Sequence, residues 1–213
     1  DYWAFHYRGE AKNNISDFKG AESDFAEALK INSQFLWSYV QRAYMRSKNG
    51  DHISAIEDFD NAIRIDPKKD YLFNSRGFSK AQTGDYIGAI KDFSSTLSLN
   101  PNNEFAYASR GYYKTQIGDF KGALSDYSAA IKIDPLKPEN YLSRAWTNFN
   151  LGDYEQANLD YEKVLDIGDN TQKLESVIYL IDNYLILSNL SKVPELIEKA
   201  KLLLNQSDNK EKE

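Results

Sequence analysis

Five arginines, Arg8, Arg42, Arg76, Arg110 and Arg144, stand 34 residues apart, and five aspartates, Asp24, Asp58, Asp92, Asp126 and Asp160, recur at the same interval. Two chemistries are open to such columns. A guanidinium facing a carboxylate can close a bidentate ion pair, so that five pairs would form a structural ladder between neighbouring elements. Five guanidinium groups lining a groove could instead hold an anionic ligand. The equal number of partners favours the ladder, as does the small residue directly after each arginine (Gly9, Ala43, Gly77, Gly111 and Ala145).

Catalytic chemistry has little to stand on. The chain has no cysteine and only two histidines, which excludes disulfides, thiolate nucleophiles and histidine-rich metal sites. It has no Gly-rich phosphate loop, and no carboxylate pair stands apart from the recurring surface charges. His52 occupies the place taken by Phe18, Tyr86, Phe120 and Tyr154 in the other repeats and reads as a packing residue; His6 is read as packing or as a ligand contact. The chain is therefore expected to be neither an enzyme nor a metal or cofactor carrier.

Composition narrows the partner. A net charge of -6 argues against a phosphate-binding surface, so nucleic acid is not expected. No stretch approaches the roughly 20 apolar residues of a membrane span. The 41% apolar and 14% aromatic content is enough for a sizeable core. Asp at position 1 points to a chain trimmed from a precursor or a longer protein. The compartment is not legible; the reading taken is cytoplasmic, with the bacterial periplasm as alternative.

The elements that must carry these columns follow from the same 34-residue interval, which runs from Tyr2 to Thr171 as 2–35, 36–69, 70–103, 104–137 and 138–171. Within the third unit Phe73, Gly77 and Lys80 keep helical spacing, Gly84-Asp85-Tyr86 breaks it, and Ala89, Phe93, Thr96 and Leu97 resume it before Asn100-Pro101. This predicts two short antiparallel helices per unit. Asp17, Asp51, Asp85, Asp119 and Asp153 are placed to cap the second helix. Ala21, Ala55, Ala89, Ala123 and Ala157 permit close approach, and Phe25, Phe59, Phe93, Tyr127 and Tyr161 fill the space beside them. Pro67, Pro101 and Pro135 end three of the units.

This pattern of small and large residues resembles the tetratricopeptide repeat family, over residues 2–171 and in five consecutive units. The resemblance implies an all-α fold, a right-handed α-solenoid (superhelix) of stacked antiparallel helix pairs. Arg replaces the family's usual Leu before the glycine, and Lys12, Arg46, Lys80, Lys114 and Asn148 stand where the family has Tyr. The family's first helices line a concave groove, and the resemblance implies that positions two and nine of each unit point into it. Those positions carry Trp37, Tyr71 and Phe105, and Tyr44, Phe78, Tyr112 and Trp146, interleaved with neutral polar residues such as Gln41, Asn74, Ser75, Gln82, Ser109 and Gln116. The family's carboxylate clamp does not carry over. Its basic and amide residues would fall on His6, Glu10, Gln41, Tyr71 and Ser75, and Glu10 would repel a carboxylate.

Beyond Gln172 the pattern loosens into an atypical sixth helix pair over 172–206, followed by a charged tail, 207–213, expected to be disordered. Residues 177–187 are apolar almost all round, which makes a homodimer through 174–204 a candidate. The functional expectation is a protein or peptide scaffold with an aromatic groove. The targeting or recognition arm of a larger enzyme, and a self-assembly module built on the C-terminal pair, are its alternatives.

Overall fold

The computed structural model describes residues 1–210, with side chains through Asn205. Those residues fold into twelve α-helices. They fall into two compact units, 1–106 and 107 onward. The first unit contains α1 (Tyr2–Asn14), α2 (Phe18–Ile31), α3 (Leu36–Lys48), α4 (His52–Ile65), α5 (Asp70–Gln82), α6 (Tyr86–Leu99) and the start of α7 (Glu104–Gln116). The second contains the rest of α7, then α8 (Phe120–Ile133), α9 (Pro138–Leu151), α10 (Tyr154–Ile167), α11 (Asn170–Ile186), a 3-10 turn (Leu190–Lys192) and α12 (Val193–Lys210).

Local chemistry sets each helix pair. The first helix stops in a turn whose left-handed residue is Gly50, Gly84, Gly118 or Gly152 (φ 79–85°), a conformation that costs glycine nothing. Ser16 occupies that place in the first pair, at φ 64°. The second helix then starts on an aspartate whose carboxylate accepts from a free backbone N–H three residues on. Asp17 takes Gly20 N at 3.0 Å, and Asp51, Asp85, Asp119 and Asp153 act alike. Such a cap stabilises a helix by about 1 kcal/mol.

Packing joins the pairs. At the crossing within a pair a Cβ on Gly9 would lie 2.9 Å from the Phe25 ring, and one on Gly111 would lie 3.1 Å from Tyr127. The small residue is therefore required by the large one opposite. In the first unit Val40, Ala43, Ala55, Phe59, Ala62 and Leu72 form one buried cluster drawn from α3, α4 and α5. In this way the second repeat is sealed by the third. In the second unit Ala145, Ala157, Tyr161, Val177, Leu180, Leu196 and Leu203 form another, so α11 and α12 cap the fifth repeat.

The C-terminal pair has its own devices. Asp169 and Gln172 form a reciprocal capping box at the start of α11, satisfying two orphan N–H groups. Asn183, fully buried, donates to Asn158 Oδ1 at 2.8 Å and ties α11 to α10. Ser188, at φ 56°, makes the turn. Helix α12 continues through Lys210, and the rest of the tail expected from Ser207 to be disordered, residues 211–213, lies outside the described residues. No Gly or Pro follows Leu204 in the helix to stop it.

Candidate functional site: two aromatic clefts and an ion-pair ladder

The first helices of each unit present a cleft. In the first unit it has a volume of about 510 Å³. Its apolar walls are Tyr44, Phe59, Phe78 and Phe105, and its polar lining includes Asn74, Ser75 and Gln82, with Lys48 and His52 as its ionisable side chains besides Tyr44. Tyr44 packs edge-on against Phe59 with centroids 5.4 Å apart, and its hydroxyl lies 3.0 Å from Ser75 Oγ. His52 Nδ1 lies 3.3 Å from Ser47 Oγ, and the ring meets Phe78 edge-on. Asn74 Oδ1 is buried from solvent with no hydrogen-bond partner. The second unit's cleft, about 260 Å³, is walled by Tyr112, Tyr127, Trp146 and Tyr179, with Gln116 and Glu175 on its lining.

Of the seven groove candidates, Trp37, Tyr44, Phe78, Phe105, Tyr112 and Trp146 are 41–51% exposed. Tyr71 departs from them. It is half-buried against the Val40–Phe59–Leu72 cluster, with its hydroxyl buried and unpartnered, and burial pushes its pKa up. His6 also goes inside rather than toward a ligand. It is 4% exposed, hydrogen-bonded to Ser38 Oγ at 3.0 Å and enclosed by Trp3, Tyr7, Phe25 and Phe35. Burial lowers its pKa against the opposing pull of Glu10.

The arginine and aspartate columns meet. In all five repeats Arg Nε donates to Asp Oδ2 at 2.8–2.9 Å and Arg Nη2 to Oδ1 at 2.6–2.7 Å. The aspartates are buried. Each guanidinium also lies over the ring three residues before it (Phe5, Tyr39, Phe73, Tyr107 or Tyr141), at 5.2–5.9 Å from the centroid. The third arm of the fork reaches back to the preceding repeat from Arg76, to Asp60 at 2.6 Å, and from Arg144, to Ser128 at 2.9 Å.

A second cation was not assigned a role from sequence. Lys12, Arg46, Lys80 and Lys114 lie 2.8–2.9 Å from Asp24, Asp58, Asp92 and Asp126. Arg46 bridges further to Glu22 on α2. The signal was present in the departure from the family pattern, because these residues sit four positions after each arginine and hence on the same helix face. In the fifth repeat the place is taken by Asn148. With Arg8 hydrogen-bonded to it and Lys12 beside it, the Asp24 carboxyl is held down at about 2 despite the opposing effect of burial.

Among the described residues no cluster of His, Asp or Glu is arranged to hold a metal ion, and no helix is long and apolar enough to cross a membrane. Antiparallel helix pairs at a 34-residue interval, locked by small-on-large crossings, define a helix-pair repeat protein. The tetratricopeptide repeat family model matches residues 38–69 and 138–168, and the helix-pair array has the tetratricopeptide repeat fold. No curated protein sequence matches it. Among solved structures it is similar in fold to MamA, at 20% identity over 81% of this chain and 94% of that one, with a TM-score of 0.76. YrrB, described as a TPR protein with an unusual peptide-binding site, is 19% identical over 83% and 91%, with a TM-score of 0.73. PilF of Pseudomonas aeruginosa is 15% identical over 100% and 97%, with a TM-score of 0.70.

Proposed function

We propose that the chain is a non-catalytic scaffold that holds a segment of a partner protein against the aromatic side chains of its first helices. The observation that carries this is the set of six rings left 41–51% exposed at two recurring positions, beside polar groups that can meet a peptide backbone. Large rings supply contact area at small entropic cost, and apolar surface grouped with polar groups in a cleft is the usual form of a binding site. Of the structures similar in fold, YrrB is itself described as having a peptide-binding site. The Arg–Asp pairs serve the scaffold, since two donors of each guanidinium are engaged by a buried carboxylate.

The test is affinity capture by the chain followed by quantitative mass spectrometry, with the Phe78→Ala, Tyr112→Ala variant in parallel. Loss of about 2 kcal/mol or more of binding energy is expected if these are hot spots, so captured partners should fall at least tenfold. Circular dichroism must show both proteins equally helical. Equal capture by a folded variant would overturn the reading.

A second reading rests on a separate observation. Ile178, Leu185 and Ile186 on α11 are about half exposed, which supports self-association through the C-terminal pair.

A further inference from the structure

The second unit's cleft is walled by four aromatic rings and carries one charge. The rings are Tyr112, Tyr127, Trp146 and Tyr179, and the charge is the carboxylate of Glu175 on α11. No Lys, Arg or His lines this cleft. Glu175 is exposed and makes no ion pair among the described residues. Two of the walls are held in place by neighbours. Tyr179 stacks on the buried Tyr161 with centroids 5.2 Å apart, and Tyr112 meets Tyr113 edge-on at 5.1 Å. At about 260 Å³ the space lies below the ~300–1,000 Å³ of pockets for drug-sized ligands, which suits a single side chain.

The chain itself shows what a ring and a carboxylate together hold. In each of the five repeats a guanidinium lies over a Phe or Tyr ring while it donates to an aspartate. The cleft repeats the rings and the carboxylate and leaves out the guanidinium. An aromatic face attracts a cation through its quadrupole, most strongly for Trp. A guanidinium is planar, stacks on rings and is weakly hydrated, and its remaining N–H groups can donate to Gln116 and Ser143 on the same lining. We propose that this cleft takes an arginine side chain of the partner protein, its guanidinium against Trp146 and Tyr179 and paired with Glu175. This rests on the reading of the exposed rings as the partner-binding surface and gives the second unit a specificity for a cation.

The test uses two blocked peptides, acetyl-Gly-Arg-Gly-amide and its twin with citrulline, the uncharged isostere of arginine. Both are titrated into the isotope-labelled chain at low salt and followed by NMR at Trp146 and Tyr179. The arginine peptide should bind about tenfold more tightly, the combined range of a cation–π contact and one exposed ion pair. Glu175→Gln should shrink that preference to about threefold. Glu57→Gln, an equal loss of charge at an exposed position of the first unit, should leave it unchanged. A lysine peptide bound as tightly as the arginine one would overturn the guanidinium preference. Free arginine, whose own carboxylate Glu175 repels, should bind more weakly than the blocked peptide; tighter binding would make this a small-molecule site and overturn the partner assignment. Equal affinities of the arginine and citrulline peptides, or a preference untouched by Glu175→Gln, would overturn the cation specificity and leave the groove reading standing. No response at Trp146 to either peptide would overturn the cation site, and the groove reading is decided separately by the capture experiment with the Phe78→Ala, Tyr112→Ala variant.

Discussion

Arg76 donates Nε and Nη2 to the two carboxylate oxygens of Asp92, sixteen residues later, at 2.8 and 2.6 Å. Lys80 approaches the same carboxylate at 2.9 Å, so removing Arg76 alone does not strand a bare buried charge. Arg76→Ala is expected to cost about 2 kcal/mol, less than the 3–5 of a fully uncompensated buried ion. The Arg76→Ala, Lys80→Ala double variant should exceed the sum of the single changes by about 1 kcal/mol or more, because the two cations share one partner. Urea unfolding of the three variants decides the matter, and simple additivity would show that the two cations stabilise Asp92 independently rather than standing in for one another.

Strong acid should weaken the first repeat. The Asp24 carboxyl is depressed from 3.8 to about 2, chiefly by its hydrogen bond to Arg8. A folded-state value below the unfolded one means a contribution that is whole above about pH 3.8 and is lost as the pH falls through about 2. Stability measured across that window should fall less steeply for Asp24→Asn than for the parent. Identical slopes would place the acid sensitivity elsewhere.

Two tyrosines at equivalent places should respond oppositely to loss of the hydroxyl. Burial raises the Tyr127 pKa, while the neighbouring hydroxyls of Thr115 and Ser143 pull it the other way. One repeat on, those neighbours have become Phe149 and Val177, and the Tyr161 hydroxyl is buried with no partner. Burial pushes its pKa strongly upward. Tyr127→Phe should destabilise by about 1 kcal/mol, whereas Tyr161→Phe should stabilise by about 1 kcal/mol through relief of an unsatisfied group. Melting temperatures of the two variants read the sign directly.

Self-association is testable at α11. Sedimentation of the chain at tens of micromolar, about the range for a weak dimer, should show a dimer that the Ile178→Glu, Leu187→Glu variant dissociates. A strictly monomeric parent would rule out the homodimer.

The helices, their caps and their turns were legible in the residues because each depends on neighbours within one repeat. Asp85 needs only the N–H of Gly88, and Gly84 only its own positive φ. The match of Arg76 to Asp92 was legible too, because both columns keep the same 34-residue spacing. What depended on contacts between helices beyond the shared spacing was not legible. Lys80 gains its role only when the second helix of its repeat brings Asp92 within 2.9 Å. Tyr71 and His6 read as surface candidates by position, yet packing against neighbouring repeats draws both inward, Tyr71 part-way and His6 fully. Tyr161 looked equivalent to Tyr127 until the loss of the two neighbouring hydroxyls left its own alone. Sequence spacing determined which side chains share a helix face. Tertiary structure decided which of them lose water and what they meet instead, since burial and hydrogen-bond satisfaction are properties of surfaces joined across repeats.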